Sequence, residues 1–103
     1  MEKISDIKEA LKYSDGSVVS RTVIEKKTGT VTLFAFDKGQ GLSEHSAPFD
    51  ALVQIVDGKA VITIGGEEHT VSAGEYVIMP ANIPHSLKAP EKFKMLLIMI
   101  KGE

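Results

Sequence analysis

Polar and apolar residues in this chain alternate in short runs that are cut by turns. In residues 30–37, TVTLFAFD, Val31, Leu33 and Ala35 fall on one side and Thr32, Phe34 and Phe36 on the other. A period of two marks a strand, and apolar residues on both sides mark a strand covered on both faces. Before it, the β-branched Val18-Val19 and Thr22-Val23-Ile24 predict another strand, with a turn at Thr28-Gly29. After it, Asp37-Lys38-Gly39 turns the chain. The apolar runs 51–56 and 60–64 flank Asp57-Gly58, a pair that predicts a hairpin. Gly65-Gly66 makes the next turn, and runs at 67–71, 76–79, 86–87 and 93–101 complete the series. Roughly nine or ten short strands at regular spacing are the pattern of a sandwich or barrel.

Only the N-terminal stretch departs from this rhythm. Ile7, Ala10 and Leu11 recur at helical spacing, Asp6 and Glu9 have the spacing of a capping box, and Ser14-Asp15-Gly16 would stop the helix. The pattern predicts one short helix over about 4–13, too short to stand alone and assigned to a lid or a dimer contact. The strands then occupy about 17–101.

At 103 residues the chain is one domain, 1–103, with no repeat of solenoid period and no linker to divide it. Apolar residues at 43% and charged residues at 25% are those of an ordinary globular protein. A formal net charge of -2 and no basic patch predict neither nucleic acid nor a membrane as partner. No cysteine is present, which removes disulfides, thiolate ligands and a thiol nucleophile. The first twelve residues mix charge with apolar side chains, unlike a secretory signal, and the longest apolar run, 95–100, falls far short of a span; the expected location is cytoplasmic.

Two stretches stand out for chemistry. Residues 39–58, GQGLSEHSAPFDALVQIVDG, and residues 74–85, GEYVIMPANIPH, share a design: glycine, extended segment, proline turn, and a histidine beside that turn. Two strands that each carry a histidine to a turn predict a common site for His45 and His85. His69 lies on the strand after Gly65-Gly66, outside both stretches, and reads as a solvated side chain. The chain holds no phosphate-binding glycine loop and no nucleophile elbow.

These stretches resemble the two motifs of the cupin superfamily, written G-x5-H-x-H-x3-E-x6-G and G-x5-P-x-G-x2-H-x3-N. Gly39, His45 and Gly58 fall in register with the first, and Gly74, Pro80 and His85 with the second. The resemblance spans 31–100 and implies an all-β fold: a single cupin-type β-barrel, also called a double-stranded β-helix or jelly roll, here with a short N-terminal helix. The departures are as informative. Ala47 stands where the pattern has a second histidine, Ala51 where it has glutamate, Asn82 for glycine and Ala89 for asparagine. Asn82 is a mild change, because asparagine tolerates the left-handed conformation. Ala47 and Ala51 remove two of the four side chains that the resemblance implies as metal ligands.

Three functions follow as expectations. The first is a barrel whose mouth binds a small organic molecule against His45, Ala47, Ala51, Val53, Met79 and His85, with weak or no metal binding. The second is a metal-dependent enzyme of dioxygenase, decarboxylase or isomerase type, with Mn, Fe, Ni or Zn held by His45, His85 and waters. Strand parity turns Asp50 and Gln54 away from that side, and only a bulge at Pro48-Phe49 would bring Asp50 back as a third ligand. The third is a structural or interaction module built on apolar outer strand faces. The resemblance further implies a homodimer.

Overall fold

The structure, a computed structural model, describes residues 4–102. Nine strands follow one another: β1 Val18–Lys26, β2 Gly29–Phe36, β3 Gly41–His45, β4 Asp50–Asp57, β5 Lys59–Ile64, β6 Glu67–Ser72, β7 Tyr76–Met79, β8 His85–Lys88 and β9 Phe93–Ile100. They form two antiparallel sheets, one of order β1-β2-β9-β4-β7 and one of order β3-β8-β5-β6. Among the described residues no helix is long and apolar enough to cross a membrane.

Alternation decides what lies between the sheets. Paired residues on neighbouring antiparallel strands share a face. In the large sheet, Phe34 and Phe36 of β2 sit beside Met95 and Phe93 of β9, and Ala51, Val53 and Ile55 of β4 continue that inner face. Ala60 and Ile62 of β5, Val71 of β6 and Leu87 of β8 face them from the small sheet. Phe36, Phe93, Ile55, Ile62 and Val53 have no solvent exposure. The Phe36 and Phe93 rings stack at 4.5 Å between centroids. A Phe93→Ala truncation at such a site removes both the stacked pair and the cross-sheet wedge.

The Asp57-Gly58 hairpin does not form. β4 lies in one sheet and β5 in the other, so the residues that flank Gly58 never pair with each other. The local signal was correct about backbone conformation, with Gly58 at φ 72°, and silent about sheet membership. Both runs bury one face in the same core from opposite sides, and the chain turns a corner between layers at this point. By contrast Gly65 and Gly66, at φ 58° and 83°, close a true two-residue hairpin in which Ile64 pairs with Glu67.

The helix expected over 4–13 is also absent, and the chain makes a single turn there. Asp6 does cap that turn: its side chain accepts from the Lys8 amide at 2.9 Å and its carbonyl from the Glu9 amide at 3.1 Å. Beyond this, the carbonyls a helix would use are taken by side chains. The Lys8 carbonyl accepts from Lys94 Nζ, and the Ala10 carbonyl accepts from Arg21 Nη1 at 3.1 Å. The apolar stripe is only partly covered: Ile7 is 42% exposed, while Ala10 and Leu11 are half-buried. A helix this short needs packing to persist. The segment instead becomes a strap across the outer face of the large sheet, fastened by the Tyr13 hydroxyl, which donates to Asp57 Oδ2 at 2.6 Å. Lys92 and Lys94 lie 4.9 Å and 4.8 Å from the Tyr13 ring centre. Burial, and then Asp57, push the phenol pKa up, so it stays a donor.

Gly58 is the position least able to change. A Cβ there would meet the Lys92 carbonyl oxygen and press on Phe93 Cα at 3.1 Å, on a backbone that L side chains rarely adopt. The Gly58→Ala variant is expected to lose about 2 kcal/mol or more, roughly 10 °C in melting temperature. Thermal unfolding followed by circular dichroism checks this, and a variant that melts within 2 °C or so of the parent would contradict the corner geometry.

Candidate functional site

His45 and His85 meet. β3 and β8 are antiparallel neighbours, and His45 pairs with His85 across them. Parity alone would have placed His45 on the face opposite Leu42, three residues earlier. A bulge between Leu42 and His45 absorbs one residue and returns the imidazole to the inner side. The Nε2 atoms stand 3.2 Å apart, and the rings meet edge to face with centroids at 4.4 Å. Each ring is fixed from behind in the same way. His45 Nδ1 lies 2.7 Å from the Ser43 carbonyl and His85 Nδ1 lies 3.2 Å from the Ile83 carbonyl, each two residues upstream. His85 is buried at 5% exposure, whereas His45 is open to solvent.

The loops that carry these residues are tied to one another. Residues 46–49 lead from His45 into β4, and residues 80–84 lead from β7 into His85. The Asn82 amide donates to the Ala47 carbonyl at 2.7 Å, with Asn82 at φ 66°, the left-handed conformation expected for it. The Ala81 amide donates to Asp50 Oδ1 at 2.8 Å, and the Gly65 amide to the Pro84 carbonyl at 2.8 Å. Asp50 therefore closes a loop. It pairs with Ile100 on the outer side of the sheet, and no bulge re-aims it toward the histidines.

The other residues read as pocket wall are placed as follows. Ala47 is half-buried in the loop and holds Asn82 through its carbonyl. Ala51, Val53 and Met79 lie on the inner face of the large sheet, at 6%, 0% and 4% exposure, as part of the packed core. Ala51 and Met79 pair directly and belong to the row at the histidine end of the sandwich. Val53 lies one row deeper, beside Val77 and Leu97. The two histidines are thus brought together, Ala51 and Met79 close the same end from the facing sheet, and Val53 sits behind them. His69 pairs with Ile62 on the inner side of β6 and is half-buried, which corrects its reading as a solvated side chain.

One polar group at this level was not singled out from the sequence. Thr30 pairs with Met99, which pairs with Ala51, so Thr30 stands in the same inner row as Ala51 and Met79. It is 7% exposed, and its Oγ1 has no hydrogen-bond partner among the described residues. A partial signal was available: Thr30 shares the parity of Thr32, Phe34 and Phe36 in a strand read as covered on both faces. A buried hydroxyl left unpaired costs on the order of 1–3 kcal/mol, so a water or ligand atom is expected against it.

Two inward imidazoles have limited ways to be satisfied. If both Nδ1 atoms carry hydrogen and donate to their carbonyls, both Nε2 lone pairs converge and repel. A single additional proton between the Nε2 atoms removes the conflict and gives the pair one shared positive charge. A metal ion would do the same: with Zn–N bonds of 2.0–2.1 Å, an Nε2 separation of 3.2 Å corresponds to an N–metal–N angle of about 100°. The bite fits, but the remaining donor set does not. Ala47 and Ala51 supply none, and among the described residues no group of three or more His, Asp or Glu is arranged to hold an ion. Catalytic zinc and non-haem iron sites take three protein ligands.

Burial is the main cause that pulls the His85 pKa below the ordinary histidine value, and the adjacent His45 pulls it further. The folded protein then binds fewer protons than the unfolded chain from about pH 6.5 down to the lowered His85 pKa, so stability falls as the pH drops through that window. Melting temperature is expected to decline between pH 7 and pH 5 or so, and His85→Gln should flatten that part of the profile. An unchanged profile in the variant would remove His85 as the cause.

The profile of the cupin domain matches residues 32–101. A solved structure of a conserved protein of unknown function from Streptococcus pyogenes is 40% identical, superposes with a TM-score of 0.95, and aligns over 100% of this chain and 90% of its own. A cupin 2 conserved barrel domain protein from Leptotrichia buccalis is likewise 40% identical, with a TM-score of 0.88; 91% of this chain matches 46% of that one, so this chain spans about half its length. An uncharacterized protein from Streptomyces coelicolor is 26% identical over 102 residues, which cover 98% of this chain and 95% of that one. With both histidine strands in the expected register and the cupin profile across most of its length, the chain belongs to the cupin domain family.

Proposed function

We propose that this protein binds a small organic acid at the His45–His85 pair, at the end of a barrel that lacks the four-ligand metal centre of the cupin pattern. The observation that carries this reading is the Nε2–Nε2 contact of 3.2 Å between rings whose Nδ1 atoms are both held on carbonyls. In this arrangement two Nε2 lone pairs face each other at the mouth, and the proton of an incoming carboxylic acid placed between them would relieve their repulsion, with the apolar Ala51 and Met79 and the unpaired Thr30 hydroxyl in one row of the facing sheet. A carboxylate paired with the imidazoles and a polar atom near Thr30 would satisfy both. Few convergent polar groups in an apolar setting are the usual composition of a small-molecule site.

A second reading, a weakly held divalent transition metal bridging the two Nε2 atoms, rests on their bite alone. Mn, Fe, Ni and Zn all accept imidazole nitrogen, and His45 and His85 would be the residues to hold such an ion.

Thermal shift and calorimetry with a panel of small carboxylic and hydroxycarboxylic acids test the first reading. At about ten times its dissociation constant, a binding acid should raise the melting temperature by several degrees. The shift should vanish in the His45→Ala, His85→Ala double variant and shrink in Thr30→Val. Near-stoichiometric transition metal in protein purified without tag or chelator, lost in the double variant, would instead establish the second reading. No shift with any acid, and no metal, would overturn both.

A further inference from the structure

We infer that the crevice between the N-terminal strap and the outer face of the large sheet binds a linear aliphatic carboxylic acid, at a site separate from the His45–His85 pair. The strap covers one end of that face and leaves the register row Ile24, Val31, Ile98, Leu52 and Ile78 beside it. Where strap and sheet meet, a cavity of about 320 Å³ remains. Ile7 and Ala10 line it from the strap, and Val23, Val31, Leu33 and Leu96 line it from β1, β2 and β9. Small-molecule sites begin at about this volume and set a few polar groups in apolar walls. The walls here are not closed off from water: Ile7 is 42% exposed and Val23 is 53% exposed. A hydrocarbon chain that covers them removes apolar surface the strap leaves wet.

One charged group fixes the class of ligand. Arg21 stands in the cavity wall, and its Nη1 donates to the Ala10 carbonyl at 3.1 Å, which ties the strap down. A guanidinium has five N–H donors, so others remain for a carboxylate, the group its planar fork matches. A bulge in β1 falls at the same place. The register shifts between Thr22 and Ile24, which leaves Val23 without a partner on β2. Regular alternation would put Arg21 and Val23 on the outer face and turn Ile24 inward. The bulge instead sets Arg21 beside Leu33 and Ile24 beside Val31, and Val23 still lines the cavity. It adds an aliphatic side chain next to the guanidinium, a common use of bulges near binding sites. The wall holds six aliphatic side chains and no aromatic ring. It suits a flexible chain and offers a flat ring nothing to stack on. A carboxylate on Arg21, with its chain along Val23, Val31 and Leu96, meets both the charge and the walls.

Octanoate, below its micelle concentration, is the probe. Calorimetry with the full chain should show saturable binding, and hexanoate should bind about 5-fold more weakly, because two methylenes leave a partly covered wall. Nuclear Overhauser contacts should run from the octanoate chain to the methyl groups of Val23, Val31 and Leu96. Val23→Phe and Arg21→Gln alter exposed side chains and should keep the circular dichroism spectrum. Val23→Phe fills the cavity and should abolish binding. Arg21→Gln should weaken it by about 5-fold, the scale of an exposed ion pair, with Arg21→Lys between it and the wild type. The His45→Ala, His85→Ala double variant should bind octanoate as the wild type does, which separates this site from the one proposed at the histidines. Three results would each overturn the proposal: no binding to the wild type, including the case in which a second copy covers the crevice; contacts to the Ala51 and Met79 methyl groups in place of those named; or binding untouched by Val23→Phe.

Discussion

Everything in this molecule hangs on one apolar layer shared by two sheets. Phe36, Phe93, Met95, Ile55 and Ile62 are closed to solvent and come from four strands of both sheets. None of those strands could bury its inner face within its own sheet. The layer therefore dictates that the chain cross from one sheet to the other at Gly58, where a left-handed backbone and the Lys92 carbonyl leave no room for a side chain. It also holds the site. Leu87 of β8 is locked into the layer, and two residues earlier along the same strand and face stands His85. The imidazole is rigid because the strand that carries it is anchored one step deeper.

At the mouth the same layer thins to small residues and polar atoms. Ala51 and Ala47 take the places where the family pattern has ligands, and His45 and His85 face each other across the end of the small sheet. Each ring is tied to the carbonyl two residues upstream, so geometry and tautomer are set by backbone, with no second side chain needed. Asp50, the one nearby carboxylate on β4, serves the fold by holding the Ala81 amide, which keeps the His85 loop against the His45 loop. Burial on one side and solvent on the other give two chemically identical residues different environments: His85 resists a proton, and His45 faces whatever arrives from outside.

The outer face of the large sheet obeys a second constraint. Its central strands are apolar on both sides, so something must cover them. The N-terminal strap covers the Leu33 and Ala35 end, pinned through Tyr13, Arg21 and the buried Lys94. It leaves the Ile24-to-Ile78 row open. A helix in that place would have spent its carbonyls on itself and lost these attachments. The strap thus exchanges local hydrogen bonds for long-range ones, which is why propensity misjudged it.

Local chemistry in the sequence was enough to determine the strands, because a period of two in runs such as TVTLFAFD is a property of neighbouring residues, although with apolar side chains on both sides it did not say which side faces the other sheet. Glycine and asparagine spacing likewise marked Gly58, Gly65, Gly66 and Asn82, since a left-handed backbone is a property of one residue and its neighbours. The motif register also placed His45 and His85 at one site. Tertiary structure alone decided the rest. Sheet membership turned the Asp57-Gly58 hairpin into a corner, because pairing depends on partners far along the chain. The bulge before His45 set the 3.2 Å contact, since one extra residue in a strand is invisible without its neighbour. Register across five strands put Thr30 in one inner row with Ala51 and Met79 and lined up Ile24, Val31, Ile98, Leu52 and Ile78 on the outside. Such rows join residues more than seventy positions apart, and only the folded ladder of hydrogen bonds brings them together.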